Sequence, residues 1–202
     1  NRAGTQLAYT CKKLTGKAYA LSTDSDVYLY DLASGQTRNL TEGMPGYDKY
    51  PVFSPDDSML AFTSMERAGN ESDKSRLFVE TLATGEKRYL TRNFDYNAGN
   101  VRWDGNGTLY FIAPVRGTYQ VCRVDLADDS VRVLTAGAHD VNAITLNGGE
   151  LVGEVTSLSA RTELFRIDPA DGTMTRITNT NPEIYDHIRM GEVRGLPTAG
   201  KC

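Results

Sequence analysis

Cysteine is scarce in this chain of 202 residues, which holds only Cys11, Cys122 and Cys202. An odd count at so low a density excludes a disulfide-stapled scaffold. Histidine is scarcer still, with His139 and His187 alone. No Cys-x-x-Cys pair or Cys/His set at ligand spacing occurs, so no metal or cofactor is expected. No apolar run approaches the roughly 18 residues of a membrane-spanning helix, and no membrane span is expected. Asn1–Thr5 lack the apolar core of a signal peptide, which leaves the compartment open. Basic excess is also missing: 22 Lys and Arg stand against 26 Asp and Glu, a net charge of −4. A nucleic-acid surface needs clustered cations, so that partner class is excluded.

What the chain does have is repetition. Its composition, 40% hydrophobic and 24% charged, is that of an ordinary folded domain. Four segments share an apolar strand, a turn and a short strand ending in Leu-Thr or Ile-Thr. They run Val27–Leu32 to Leu40-Thr41, Leu77–Leu82 to Leu90-Thr91, Val121–Leu126 to Leu134-Thr135, and Leu164–Asp168 to Ile177-Thr178. The markers Leu40, Leu90, Leu134 and Ile177 are 50, 44 and 43 residues apart. A period in the forties built of strands and turns belongs to four-stranded propeller blades. The predicted fold is therefore an all-β propeller arc of about three full blades, with partial blades at both ends.

The boundaries follow from the turns. Blade one is partial (1–41), beginning at once with the strand Gln6–Thr10. Blade two spans 47–91, with the turn Ser54-Pro55-Asp56-Asp57-Ser58, where proline presets the backbone and aspartate bonds its own main chain. Blade three spans 98–135 and blade four 139–178. One further inner strand is expected within 184–190, and residues 191–202 read as the start of a linker to another domain. Phe53, Phe62, Phe78, Trp103, Tyr110 and Phe165 stand at strand spacing and are expected to pack blade against blade. Cys122 alternates with Val124 and Leu126 and reads as a small buried hydrophobe. Asp24-Ser25-Asp26 and Asp128-Asp129 lack the glycine-bearing pattern of a calcium loop and read as turn residues. An arc that stops short of a ring leaves apolar blade faces open, so self-association through them is an expectation.

The stretch Tyr47-Asp48-Lys49-Tyr50-Pro51-Val52-Phe53-Ser54-Pro55-Asp56-Asp57-Ser58-Met59-Leu60-Ala61-Phe62-Thr63-Ser64 resembles the repeat of TolB-type propellers, with Phe53 for the usual Trp and Asp57 for the usual Gly. The same repeat builds the propeller of the prolyl oligopeptidase family of serine peptidases. Within that family the chain looks most like the bacterial dipeptidyl peptidases. The carrying residues are Ala8–Lys13, Leu29–Gly35, Ser64–Arg67, Asp73–Val79 and Ile184–Arg194, the last resembling the strand that leads into the family's hydrolase domain.

The resemblance implies a propeller that gates and positions short peptides for an α/β-hydrolase domain absent from this chain, in a periplasmic or secreted enzyme. No catalytic residue is expected here: none of the 19 glycines is followed two residues later by serine, so the Gly-x-Ser-x-Gly nucleophile elbow is missing. His139 and His187 read as core or loop residues. The chain alone is expected to be inactive. The candidate substrate-binding residues are Glu66, Arg67 and Glu71, in the insertion Met65–Ser75. A carboxylate such as Glu66 there would anchor a peptide's amino terminus, against the plainer reading of a solvated loop. The competing function is a non-enzymatic TolB-like scaffold that binds a partner protein.

Overall fold

The computed structural model describes residues 1–191 and residue 193. Four antiparallel sheets follow one another along the chain, each a simple meander. The first has three strands, β1 (Gln6–Cys11), β2 (Asp26–Asp31) and β3 (Thr37–Asn39). The second holds β4 (Asp48–Phe53), β5 (Met59–Ser64), β6 (Arg76–Thr81) and β7 (Glu86–Tyr89). The third holds β8 (Gly99–Asp104), β9 (Thr108–Val115), β10 (Thr118–Asp125) and β11 (Ser130–Val133). The fourth holds β12 (Asp140–Asn147), β13 (Glu150–Ser157), β14 (Ala160–Ile167) and β15 (Met174–Arg176). The sheets do not close on one another, and the expected all-β open arc is what the chain forms.

Period-two alternation decides which neighbour each side chain meets. On β5, Leu60 and Phe62 turn toward blade one, where Val27, Leu29 and Leu40 lie, while Ala61 turns toward blade three. On β9, Leu109, Phe111 and Ala113 pack on blade two; Tyr110 and Ile112 pack on Val141, Ile144, Leu151 and Ile167 of blade four. A strand apolar on both faces is what stacking between two blades demands, and it explains the continuous run Leu109–Ala113. All six aromatic residues singled out above lie in these seams. Cys122 is fully buried beside Val124, and burial pushes its thiol up to about 12, so it is not a thiolate.

The Leu-Thr markers have a structural task. At each one the leucine or isoleucine N–H donates to the carbonyl 13 residues back: Leu40 to Val27, Leu90 to Leu77, Leu134 to Val121, and Ile177 to Leu164. The following threonine Oγ1 then accepts the N–H of that same residue, at 3.0 Å for Val27 and 2.9 Å for Leu77, Val121 and Leu164. The hydroxyl takes over where the ladder of the last strand pair stops. A second recurring bond ties blades together: Arg38 Nη2 donates to Leu82 O at 3.2 Å, and Arg88 Nη2 to Leu126 O at 2.7 Å. Each arginine stands two residues before its marker and reaches the next blade.

Two short helices depart from the sequence reading. Helix α1 (Gly16–Leu21) interrupts the β1–β2 connection. Helix α2 (Pro182–Tyr185) occupies the stretch expected to start a further inner strand; within 184–190 the chain makes a helical turn and then irregular backbone. Pro182 at the first helical position favours this, because its missing N–H is not needed there. Most of the proposed linker, Glu192 and residues 194–202, lies outside the described residues. Asp57, where the repeat usually has Gly, sits at φ 62, a left-handed conformation that Asp tolerates better than most residues. Its carboxylate accepts the N–H groups of Arg2 and Ala3 at 2.8 and 2.9 Å.

Candidate functional site

Meander topology sorts the connections. The β1–β2, β5–β6, β9–β10 and β13–β14 loops share one edge of the arc with the crossovers between blades, here the crossover face. The remaining hairpin turns share the opposite edge; on the crossover face the β9–β10 and β13–β14 turns are themselves short, and the long connections are β1–β2 and β5–β6. Loops that need not be tight can carry side chains outward, so the crossover face is where a binding surface can be built.

The β5–β6 loop, which holds the three sequence-derived candidates, lies on this face. Arg67 is committed within its own loop: its Nε donates to Asp73 at 3.0 Å, its Nη2 contacts the same carboxylate, and its backbone N–H donates to Asp73 Oδ2 at 2.8 Å. That pairing holds the Asp73 carboxyl below its usual range and fixes the loop. Glu71 Oε1 accepts from the Tyr47 hydroxyl at 3.1 Å. Glu66 has only a long contact with Arg76 Nη1 at 3.7 Å, and its side chain is 71% exposed. The loop therefore spends Arg67, half-spends Glu71 and leaves Glu66 available. Gly69 N–H donates to Thr23 Oγ1 at 2.6 Å, resting the loop on the α1 connection of blade one.

Beneath this loop lies a group the sequence reading passed over. Asp48, the first residue of β4, is fully buried, and neither carboxyl oxygen has a hydrogen-bond partner among the described residues. Burial pushes its carboxyl up to about 7, with Asp26 adding to the rise; the hydroxyls of Ser64 and Thr41 and the charge of Arg76 pull the other way. Those hydroxyls are near but occupied, Thr41 Oγ1 donating to Asp26 Oδ1 at 3.1 Å and Ser64 Oγ to Met65 O at 3.2 Å. The Asp48 backbone stitches the seam: its N–H donates to Ser25 O at 2.8 Å, and Ser25 Oγ donates to its carbonyl at 3.2 Å. Blade three repeats the stitch between Ala98 and Ser75, so the main chain at Asp48 is structural while its side chain is not explained by it.

Asp26 also corrects one reading. It is the first residue of β2 and accepts from Thr41 and Tyr28 hydroxyls, so it is a strand anchor rather than a turn residue. Asp128 and Asp129 do sit in the β10–β11 turn, with Asp129 at φ 54 and paired with Arg88 of blade two. His139 is half-buried just before β12, and burial lowers the pKa of its ring. His187 is exposed after α2. The structure does not bring the two histidines into any set with Glu66. No group of three or more metal-ligating side chains occurs among the described residues.

On the channel side of the same face, a hollow of about 350 Å³ opens between the inner strands of blades three and four. Asn97, Gly99, Asn100, Pro114, Tyr119 and Asn142 are among the residues that line it. Asn97 Oδ1 and Asn100 Oδ1 already accept from the Ser75 and Ile144 N–H groups at 2.7 and 3.2 Å, which leaves the asparagine NH2 donors and the Asn142 amide as uncharged hydrogen-bonding groups there. No spacing rule in the sequence marks these residues, because they come together only across two blades.

Meander sheets stacked through three apolar seams, with all long connections on one face, define an open β-propeller arc. The chain belongs to the family described as a repeat of unknown function (DUF6923), whose sequence profile matches residues 75–187. It is similar to dipeptidyl-peptidase 5 of Porphyromonas gingivalis, 40% identical over 187 residues. That match covers 92% of this chain and 27% of the relative. Dipeptidyl-peptidase 5 of Porphyromonas endodontalis is 43% identical over 192 residues, covering 95% of the chain and 28% of the relative. The chain thus spans little more than a quarter of the length of these relatives. Among solved structures it is similar in fold to an acylaminoacyl peptidase of Pyrococcus horikoshii, with TM-score 0.69 and 17% identity over 91% of this chain and 27% of that one. It is also similar to TolB from Acinetobacter baumannii, with TM-score 0.62 and 17% identity over 87% of this chain and 42% of that one. The chain is a propeller domain related to dipeptidyl-peptidase 5, with the fold shared by TolB.

Proposed function

We propose that this chain is the propeller portion of a serine-type dipeptidyl or oligopeptidase, gating and positioning short peptides for an α/β-hydrolase domain carried elsewhere in the parent protein. The observation that carries this reading is the kinship to dipeptidyl-peptidase 5 at about 40% identity along nearly the whole chain. The crossover face supports it, offering the exposed Glu66 carboxylate above a loop made rigid by the Arg67–Asp73 pair. On this reading Glu66 receives the free amino group of a peptide, while Arg67 and Glu71 position the loop. The proposed setting of the parent is periplasmic or secreted, and the fold shared with TolB supports that reading. No described helix is long and apolar enough to cross a membrane.

Steady-state kinetics of the parent enzyme carrying Glu66→Ala test this. The expected outcome is a KM raised about tenfold for dipeptidyl substrates with a free amino terminus, with kcat little changed, because a ground-state contact is removed. Unchanged KM would return the loop to a solvated role. The alternative scaffold reading, a TolB-like binder of a partner protein, predicts no serine-inhibitor-sensitive peptidase activity in the parent at all.

A further inference from the structure

A second feature stands at the far end of the arc. A cavity of about 650 Å³ lies between the outer strands of blade four, the crossover from blade three, and the segment from Tyr185 to Met190. Its polar part is built on Glu163, whose residue is 5% exposed. The two Glu163 oxygens accept from Arg161 Nε at 2.6 Å, Arg176 Nη2 at 2.9 Å, Thr180 N at 2.9 Å and Thr180 Oγ1 at 3.0 Å, and from the Thr178 hydroxyl. Burial pushes the carboxyl upward, but these donors outweigh it and hold it down to about 2. One permanent anion therefore fixes two guanidinium groups. Asn179 Oδ1 accepts from Nη2 of both, and Arg161 lies over the Tyr185 ring, 4.3 Å from its centroid.

This double arginine belongs to blade four alone. Counting back from each marker threonine, the positions of Arg161, Glu163 and Arg176 correspond to Asp24, Asp26 and Asn39 in blade one. They correspond to Lys74, Arg76 and Tyr89 in blade two, and to Thr118, Gln120 and Val133 in blade three. Blades one and three close the same strand end with one acid or amide and the threonine hydroxyl. Two arginines are more than that closure requires. Nη1 of Arg161 and Nη1 of Arg176 have no acceptor among the described residues, so each keeps N–H groups unspent in a side chain already ordered.

We propose that this cavity receives a single carboxylate carried on an apolar stem, in the form of the C-terminus of a short peptide. Arginine's planar donor pairs match carboxylate geometry, and their order is fixed before binding. Val155, Phe165, Met174 and Ile188 supply apolar walls for the adjoining side chain. Charge balance selects against polyanions: Arg161 and Arg176 are offset by Glu163 and by Asp186 on the opposite wall, while burial keeps His139 toward its neutral form. A phosphate dianion would bring two charges to a site without surplus cation and a carboxylate only one, and the carboxylate's planar oxygen pair suits guanidinium N–H donors. The buried His139 Nε2, without a partner among the described residues, adds a further polar atom on a residue lining the cavity. The choice of a peptide as the bearer of the carboxylate rests on the proposed function; the carboxylate itself rests on the geometry.

Calorimetric titration of the 202-residue chain tests it, with N-acetyl-alanyl-phenylalanine as the free acid and as its amide. The acid is expected to bind at least about tenfold more tightly than the amide, and Arg176→Gln to abolish that difference. The acid–amide contrast in the unaltered chain needs no variant to fold. Equal binding of acid and amide, no binding of either, or a contrast that survives Arg176→Gln would overturn the proposal. Octanoate binding as tightly as the peptide acid would overturn the peptide assignment. A lost contrast together with a raised KM for Glu66→Ala would remove this inference and leave the peptidase reading standing.

Discussion

Threonine 91 shows what a single marker residue does. It is fully buried, and its hydroxyl is the acceptor for the Leu77 N–H at the start of β6. Thr91→Val keeps the shape and strands that N–H, so unfolding free energy should drop by roughly 1–3 kcal/mol in denaturant titrations. A loss below the error of the titration would mean the ladder closes without the hydroxyl. Asp48 gives a pH signature at the same scale. Its folded carboxyl is raised from an ordinary value of 3.8 to about 7, so the folded state holds a proton that the unfolded chain releases. Stability from this group is present below about pH 4 and declines as pH rises toward 7. Asp48→Asn mimics the protonated form and should flatten that decline, seen as a Tm difference between variant and unaltered chain that grows from pH 4 to pH 7. A constant difference would show that the carboxyl is not shifted.

Among elements, the strands were legible and the helices were not. Period-two alternation and the Leu-Thr markers placed β1 and the outer strand pair of each of the four sheets to within a few residues, because strands packed between blades record that in their pattern, whereas the further inner strand expected within 184–190 did not form. Helix α1 has six residues and α2 four, too short for any apolar period to show. The same limit hid the sites. Glu66 was readable as a charged residue in a long insertion, but its availability depends on Arg67 choosing Asp73, a pairing that sequence spacing does not dictate. Asp48 opens β4 and Glu163 lies within β14, both ordinary places in the sequence; blade stacking shows the first unpartnered, and the pairing of β14 with β15 shows the second holding two arginines. Alignment of the four repeats on their threonines would have exposed the second. The β14–β15 hairpin depends on Gly172, at φ 78. A Cβ added there would lie 1.9 Å from Leu134 O of blade three. Gly172→Ala should therefore open the seam between blades three and four, with a loss of at least about 2 kcal/mol in thermal or chemical unfolding. An unchanged midpoint would show that the two blades do not approach so closely.

At the scale of the whole molecule, three apolar seams hold four sheets in an arc, and the topology sends every long connection to one face. Glu66, the asparagine-lined hollow and the Ser157–Arg161 part of the cavity lining lie along that face, while the hairpins on the other carry mainly turn residues. Under the proposed function, a short peptide is the ligand that tests this division. The direct measurement is a titration of the isotope-labelled 202-residue chain with the free-amino dipeptide Ala-Phe, followed by amide chemical shifts. Shifts are expected in the loop from Glu66 to Ser75, around Asn97–Asn100 and Tyr119, and around Arg161 and Arg176, where the carboxylate of the same dipeptide is proposed to bind. Shifts centred instead on the hairpin turns at Gly35, Asp57 and Gly85, or none at saturating peptide, would contradict it.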